Sequence, residues 1–292
     1  LLSYITSLIK FLQPNKPVIG ILANPHPINS KNSTTALIYE TYVKWLKQSN
    51  ADIVPILPWY TDDQLDEMLG KINGVLYMGG DRLVDLANSW EIFAKKLFNK
   101  ILERNIPFWG TCQGFELIFA LLTDDINILD KFDSWKVMLP IDFEGSLEDS
   151  LIFKNYEESD INILKTQNMT VHYHDLGVKP NAFERYPILK EYIMPTSFGF
   201  DKKGNKFINS VEGIDGKRIY GVQFHPEKAH LNGDNPTYNR LMKQMSKNFV
   251  DLIKRVQADF NLSDRKKWNI LDKEQEAKSM EGYSLHVYVY NK

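Results

Sequence analysis

The 292-residue chain reads as an α/β protein with a doubly wound, mostly parallel central sheet flanked by helices. Three observations carry that reading. Short apolar runs at 17–22, 52–56, 74–78 and 106–109 alternate with segments of helical spacing, and such repeats join parallel strands through crossover helices. The runs are apolar at successive rather than alternate positions, as strands covered on both faces must be. A composition of 43% hydrophobic and 25% charged residues is sufficient for one sizeable core.

In chain order, residues 17–22, set between Pro14 and Pro25-His26-Pro27, form a buried central strand. From 34 to 48 the spacing of Leu37, Tyr39, Tyr42, Val43 and Leu46 predicts a helix, and 52–56 a second strand. A short helix over 62–69, a strand over 74–78, a helix over 89–103 and a strand over 106–109 follow. Residues 115–122 are apolar nearly all round and predict a helix inside the domain, with Glu116 as the exception. Periodicity weakens from 124 to 168, which predicts loops and short strands. Strand-like runs return at 206–211 and 218–224. Asn235 is a good N-cap with Pro236 at the first helical position, opening a stripe of Tyr238, Leu241, Met242, Met245, Phe249, Leu252, Ile253 and Val256. Its methionines read as core packing. After a polar stretch over 259–282, residues 283–290 alternate as an edge strand does.

These elements divide the chain into a segment 1–15, a main domain 16–258 and a polar extension 259–292. The first residues read either as the end of a signal sequence or as a trimmed terminus. Sequons at Asn32, Asn168 and Asn261 suit a secretory route without deciding it. A net charge of −2 with no basic stripe argues against nucleic acid as a partner, and no apolar stretch has the length of a membrane span. The single cysteine excludes an intrachain disulfide and leaves one thiol for chemistry.

That cysteine lies in Gly110-Thr111-Cys112-Gln113-Gly114, between an apolar strand and an apolar helix, in the pattern of a nucleophile elbow. Glycines two residues to either side make room for the tight turn. A thiol at a helix N-terminus is expected to have a lowered pKa. Attack on an amide also needs a proton carrier oriented by a third group, and His225-Pro226-Glu227 supplies both on one face of an extended segment. Gly79-Gly80 follows a strand end and can offer a backbone N–H to an oxyanion, with the Gln113 N–H as second donor. His172-Tyr173-His174 places two imidazoles on one face of a strand, but no carboxylate or thiol cluster accompanies them, so no metal is expected.

Gly110-Thr111-Cys112-Gln113-Gly114-Phe115-Glu116, together with Tyr220-Gly221-Val222-Gln223-Phe224-His225-Pro226-Glu227-Lys228, resembles the gamma-glutamyl hydrolase family, among the class I glutamine amidotransferase-like proteins with a flavodoxin-like sheet. The likeness runs from about residue 17 to 256. It implies a Cys-His-Glu triad of Cys112, His225 and Glu227, an oxyanion region at Gly80 and Gln113, and substrate contacts from His174, Glu116 and Gly79. His172 is then structural. It further implies hydrolysis of γ-glutamyl bonds in folylpoly-γ-glutamates through a thioester, with no cofactor, a homodimer, and a lysosomal, vacuolar or secreted location. Met78 stands where relatives usually have Pro, and Phe224 where many have Trp. A glutaminase, a hydrolase of small γ-glutamyl amines and an inactive binding protein on the same fold are the alternatives.

Overall fold

The computed structural model describes residues 16–26, 34–144, 147, 149–228, 235–254, 256, 260–268, 278–279 and 286–292. The segment 1–15 and the sequon at Asn32 lie outside them.

The chain runs β1 (Val18–Leu22), β2 (Asn24–His26), β3 (Thr35–Tyr39), α1 (Glu40–Lys47), β4 (Asp52–Ile56), α2 (Asp62–Leu69), β5 (Gly74–Tyr77), α3 (Ser89–Glu103), β6 (Phe108–Thr111) and α4 (Gln113–Thr123). It continues through β7 (Asp130–Leu139), α5 (Glu158–Thr166), β8 (Thr170–Gly177), α6 (Ala182–Arg185), β9 (Ile193–Phe200), β10 (Lys206–Gly213) and β11 (Ile219–Val222) to the long helix α7 (Pro236–Ile253). The last elements are α8 (Leu262–Lys267), β12 (Lys278–Ser279) and β13 (His286–Asn291).

The main sheet has the order β4-β1-β5-β6-β11-β10-β9, parallel from β4 to β11 and antiparallel in its last two pairings. Successive residues of its strands serve two separate cores. Val18, Leu22, Val75, Tyr77 and Phe108 face the side packed by Leu65, Phe93, Leu97, Phe115 and Phe119. Ile19, Ile21, Leu76 and Trp109 face the side packed by Val43, Leu46, Leu241, Met245 and Phe249. Two-sided burial explains the unbroken apolar runs. Met242 and Met245 are both buried. Asn235 caps α7 by accepting hydrogen bonds from the N–H groups of Thr237 and Tyr238.

The structure corrects the sequence reading in several places, among them a helix over 158–166 where loops and short strands are expected. Residues 35–39 form a strand, and the helix begins only at Glu40, because β3 pairs with the distant β13 on one side and with β2 on the other. Tertiary pairing overrides local spacing there. The terminal strand is internal to a second sheet of order β12-β13-β3-β2, so it is no edge, and residues 283–285 lie outside the described part. Residues 130–139 form one ten-residue strand paired with β8. Two register shifts, with Lys136 at φ 54°, scramble the alternation that would have revealed it. The polar extension is docked: Asp264 is paired with Lys71, and Trp268 is buried with its ring against Tyr60.

Parallel strands all deliver their C-terminal ends to one edge of the sheet. After β1 the chain moves first to β4 and later back to β5 on the opposite side of β1, so the β1–β5 boundary is the switch point where such sheets open a crevice. Asn24, Gly79-Gly80, Cys112 and His225 all lie just beyond strand ends at this edge.

Candidate active site

Cys112 joins β6 to α4 at φ 51°, ψ −111°, a conformation costly for any residue with a side chain. Three constraints hold it there. Its N–H donates to Val222 O (3.0 Å), and its carbonyl accepts the first helical bond, from the Glu116 N–H (2.9 Å). The flanking glycines permit the turn: a Cβ on Gly110 would lie 2.5 Å from Gly114 O, and one on Gly114 would lie 2.2 Å from Tyr77 O. The buried thiol faces Tyr173 O at 3.9 Å.

His225 follows β11 and is anchored through its backbone. Its N–H donates to Val171 O (2.9 Å), and its carbonyl accepts from the Tyr238 hydroxyl of α7 (2.8 Å). The ring Nδ1 lies 2.7 Å from Glu227 Oε1, with both side chains buried. Gly79 fits between the imidazole and the nucleophile: a Cβ there would meet His225 Cε1 at 2.8 Å and Cys112 Cβ at 3.3 Å. The structure thus brings Cys112, His225, Glu227 and Gly79 together.

Burial sets the charge states. It pushes the Cys112 thiol up; Glu116 and Glu227 reinforce the shift, outweighing Lys228 and the Gln113 N–H, which oppose it. The lowering expected from the helix terminus is overridden. Burial pushes His225 down, although Glu227 pulls the other way. Glu227 is held below its usual range: burial opposes ionisation, but His225 and Lys228 prevail. The resting site is therefore a neutral thiol beside a neutral imidazole oriented by a carboxylate.

The Gly79-Gly80 loop is braced on several sides. Gly79 N–H donates to the Tyr42 hydroxyl (2.8 Å). Gly79 O accepts from Asn24 Nδ2 (2.9 Å). The Gln113 side-chain amide donates to Arg82 O and accepts from Arg82 Nε at 3.4 Å. The Arg82 guanidinium lies 3.7 Å over the Trp90 ring and 3.3 Å from buried Glu91. Glu116, on the first turn of α4, is buried and accepts from Gln223 Nε2 (2.9 Å). Burial and then Asp175 raise its carboxyl, against that hydrogen bond, to about 7.

His174 belongs to a separate hydrogen-bonded chain. Thr170 Oγ1, His172 and His174 form a buried chain with contacts of 2.9 and 3.0 Å, and His174 Nδ1 meets Leu176 O at 2.7 Å. Both nitrogens of His174 are thus engaged within the β7–β8 ribbon, and burial lowers its pKa to about 4. His172 is buried at the centre of that chain. Among the described residues no group of three or more His, Cys, Asp and Glu is placed to hold a metal.

Sequence reasoning gave no role to Tyr42, Asn24 or Gln223. Tyr42 reads as one more residue of an apolar helical stripe, and Asn24 falls in the gap between the first strand and Pro25-His26-Pro27. Only the sheet order brings them to Gly79 and Glu116.

The chain belongs to the class-I glutamine amidotransferase family, whose model, described as Glutamine amidotransferase class-I, matches residues 38–244. Within that class the chain belongs to the gamma-glutamyl hydrolase family. It is 31% identical over 277 residues to Gamma-glutamyl hydrolase B of Dictyostelium discoideum, covering 88% of this chain and 78% of that protein. It is 33% identical over 220 residues to Gamma-glutamyl hydrolase of Rattus norvegicus, covering 73% and 68%. The fold is shared with the glutaminase domain of Trypanosoma brucei CTPS with bound acivicin, at a TM-score of 0.53 and 15% identity over 80% of this chain and 94% of that one.

Proposed function

We propose that this chain hydrolyses γ-glutamyl amide bonds through Cys112, His225 and Glu227, with folylpoly-γ-glutamates as substrates. One observation carries the assignment of roles: a thiol on a strained, glycine-flanked elbow shares Gly79 as a neighbour with an imidazole whose far nitrogen is fixed by Glu227 at 2.7 Å.

The directions of the Cys112 and His225 shifts support the following proton path. Sγ attacks the γ-carbonyl carbon as its proton passes to His225 Nε2, and Glu227 stabilises the imidazolium that forms. The oxyanion is met by the N–H groups of Gly80 and Gln113. The C–N bond then breaks as Nε2 returns the proton to the departing nitrogen, leaving a thioester on Cys112. Water, deprotonated by His225, attacks the thioester carbonyl and releases the glutamyl acid and the thiol. Glu116 of α4, hydrogen-bonded by Gln223 just after β11, meets the polar end of the glutamyl group in this reading.

The test is incubation with folate pentaglutamate and, separately, with glutamine, following chain shortening and ammonia release. Chain shortening by the wild type and none by Cys112→Ala is expected. Ammonia from glutamine with untouched polyglutamate identifies a glutaminase instead, and equal activity in Cys112→Ala removes the nucleophile.

A further inference from the structure

We infer that Asn24 is a positioning residue for the oxyanion site: it fixes the plane of the Gly79–Gly80 peptide and so aims the Gly80 N–H. This rests on the γ-glutamyl hydrolase reading above and adds to it a residue outside the loops that carry the triad. Asn24 is buried and lies two residues beyond the end of β1, as the first residue of β2, at the switch point between β1 and β5. Its Nδ2 donates to Gly79 O at 2.9 Å, and a carbonyl can only accept, so the amide nitrogen must face the glycine. In a planar trans peptide the C=O of one residue and the N–H of the next point in opposite directions. Holding Gly79 O against Asn24 therefore turns the Gly80 N–H to the other side. The Tyr42 hydroxyl fixes the preceding peptide through the Gly79 N–H at 2.8 Å, so the two side chains grip successive peptide planes. Glycines lack a side chain to hold them, and an unbraced Gly-Gly pair has many orientations open to it.

Asn24 is itself placed by long-range pairing. It stands opposite Leu37 of β3, and Leu37 stands opposite Val289 of β13 on its other side. The C-terminal strand is thus two rungs of one ladder away from the residue that holds Gly79. This gives the extension a route to the chemistry that requires no contact with substrate.

The test compares Asn24→Ala, the isosteric Asn24→Asp, which has no N–H to donate once ionised, and Asn24→Gln, which keeps the donor. Folate pentaglutamate turnover, alkylation of Cys112 by iodoacetamide, and binding of a γ-glutamyl aldehyde are measured on the full chain. Alkylation needs a competent thiol but no oxyanion donor, whereas the hemithioacetal formed by the aldehyde places its oxygen where the oxyanion develops. Loss of a whole oxyanion donor costs about 10²–10³ in kcat, so a misaimed one should cost about 10–100-fold. The expected result in Ala and Asp is that fall in kcat with KM within about threefold, alkylation within about twofold, and aldehyde binding weakened in step with kcat, with Gln recovering part of the loss. Unchanged kcat, or kcat and alkylation falling together, overturns the inference. If the wild type releases ammonia from glutamine but leaves polyglutamate intact, the substrate reading fails while the same series on glutamine still tests Asn24.

Discussion

His225 Nδ1 and Glu227 Oε1 lie 2.7 Å apart, with Pro226 alone between them in the chain and both side chains buried. Pro226 keeps His225 out of helical geometry and has its own φ locked, so little motion is left to the pair. Replacing the carboxylate with an amide keeps the shape and removes the charge that supports an imidazolium. Glu227→Gln should lower kcat by about 10²–10⁴-fold with a small change in KM. Burial already places His225 below its ordinary 6.5, so the acid limb of the wild-type kcat/KM profile should fall below that value. Glu227 raises the imidazole pKa, and its removal should move the limb further toward acid. A limb moving toward neutrality in Glu227→Gln would contradict this assignment of charge.

Glu116 gives a second pH signature, in stability. Its folded pKa, about 7, lies above the ordinary 4.5, so folding favours the protonated form. That contribution is fully present below about pH 4.5 and is lost as pH rises through about 7. A shift of this size corresponds to about 3 kcal/mol. Urea melts from pH 4.5 to 8 should show Glu116→Gln losing less stability than wild type across the interval. The same substitution removes a charge that raises the Cys112 thiol, so Cys112 should be alkylated faster above pH 7. Parallel stability curves for the two proteins would show Glu116 to be free of this penalty.

The elbow stores backbone strain at Cys112, where φ is 51°. In most structured positions alanine is more stable than glycine by about 0.5–1 kcal/mol. Here alanine retains the strain and glycine relieves it, so the order should reverse. Cys112→Gly is expected to exceed Cys112→Ala in unfolding free energy by about 1 kcal/mol, both without activity. Thermal melts of the two variants decide it, and the usual order would mean that the turn is relaxed.

Apart from its edge strand β9 over 193–200, the main sheet was legible because two-sided burial writes strands as unbroken apolar runs, and the elbow because glycines at 110 and 114 have a steric reason visible in their spacing. Tyr42 and Asn24 were not legible. Each belongs to a segment whose local pattern has a sufficient ordinary explanation, and their importance arises from neighbours 37 and 55 positions away. The strand over 35–39 was hidden for the same reason, since its partner β13 lies about 250 residues further on. The β7–β8 ribbon was hidden by its register shifts. The thiol pKa was misjudged for a different reason. The helix terminus is visible in sequence, but the burial and the two carboxylates that outweigh it are products of the fold.

The C-terminal strand should therefore matter to catalysis as well as to stability. Val287 of β13 is fully buried opposite Tyr39 of β3. An aspartate there places an unpaired charge in the second sheet and should cost about 2–4 kcal/mol. If the strand acts only as a fastening, Val287→Asp will lower the urea midpoint and leave kcat of the folded fraction unchanged. The ladder from β13 through Leu37 to Asn24 leads to a different result. Freed of β13, β3 and β2 loosen, Gly79 O loses a fixed donor, and kcat should fall well below that of wild type at temperatures where the variant remains folded. Alkylation of Cys112 should stay near the wild-type rate, because the elbow is held by β11 and α4. The same kinetic pattern in Val287→Asp and Asn24→Ala, and no further loss when the two are combined, would place the terminal strand and the oxyanion peptide on one mechanical path.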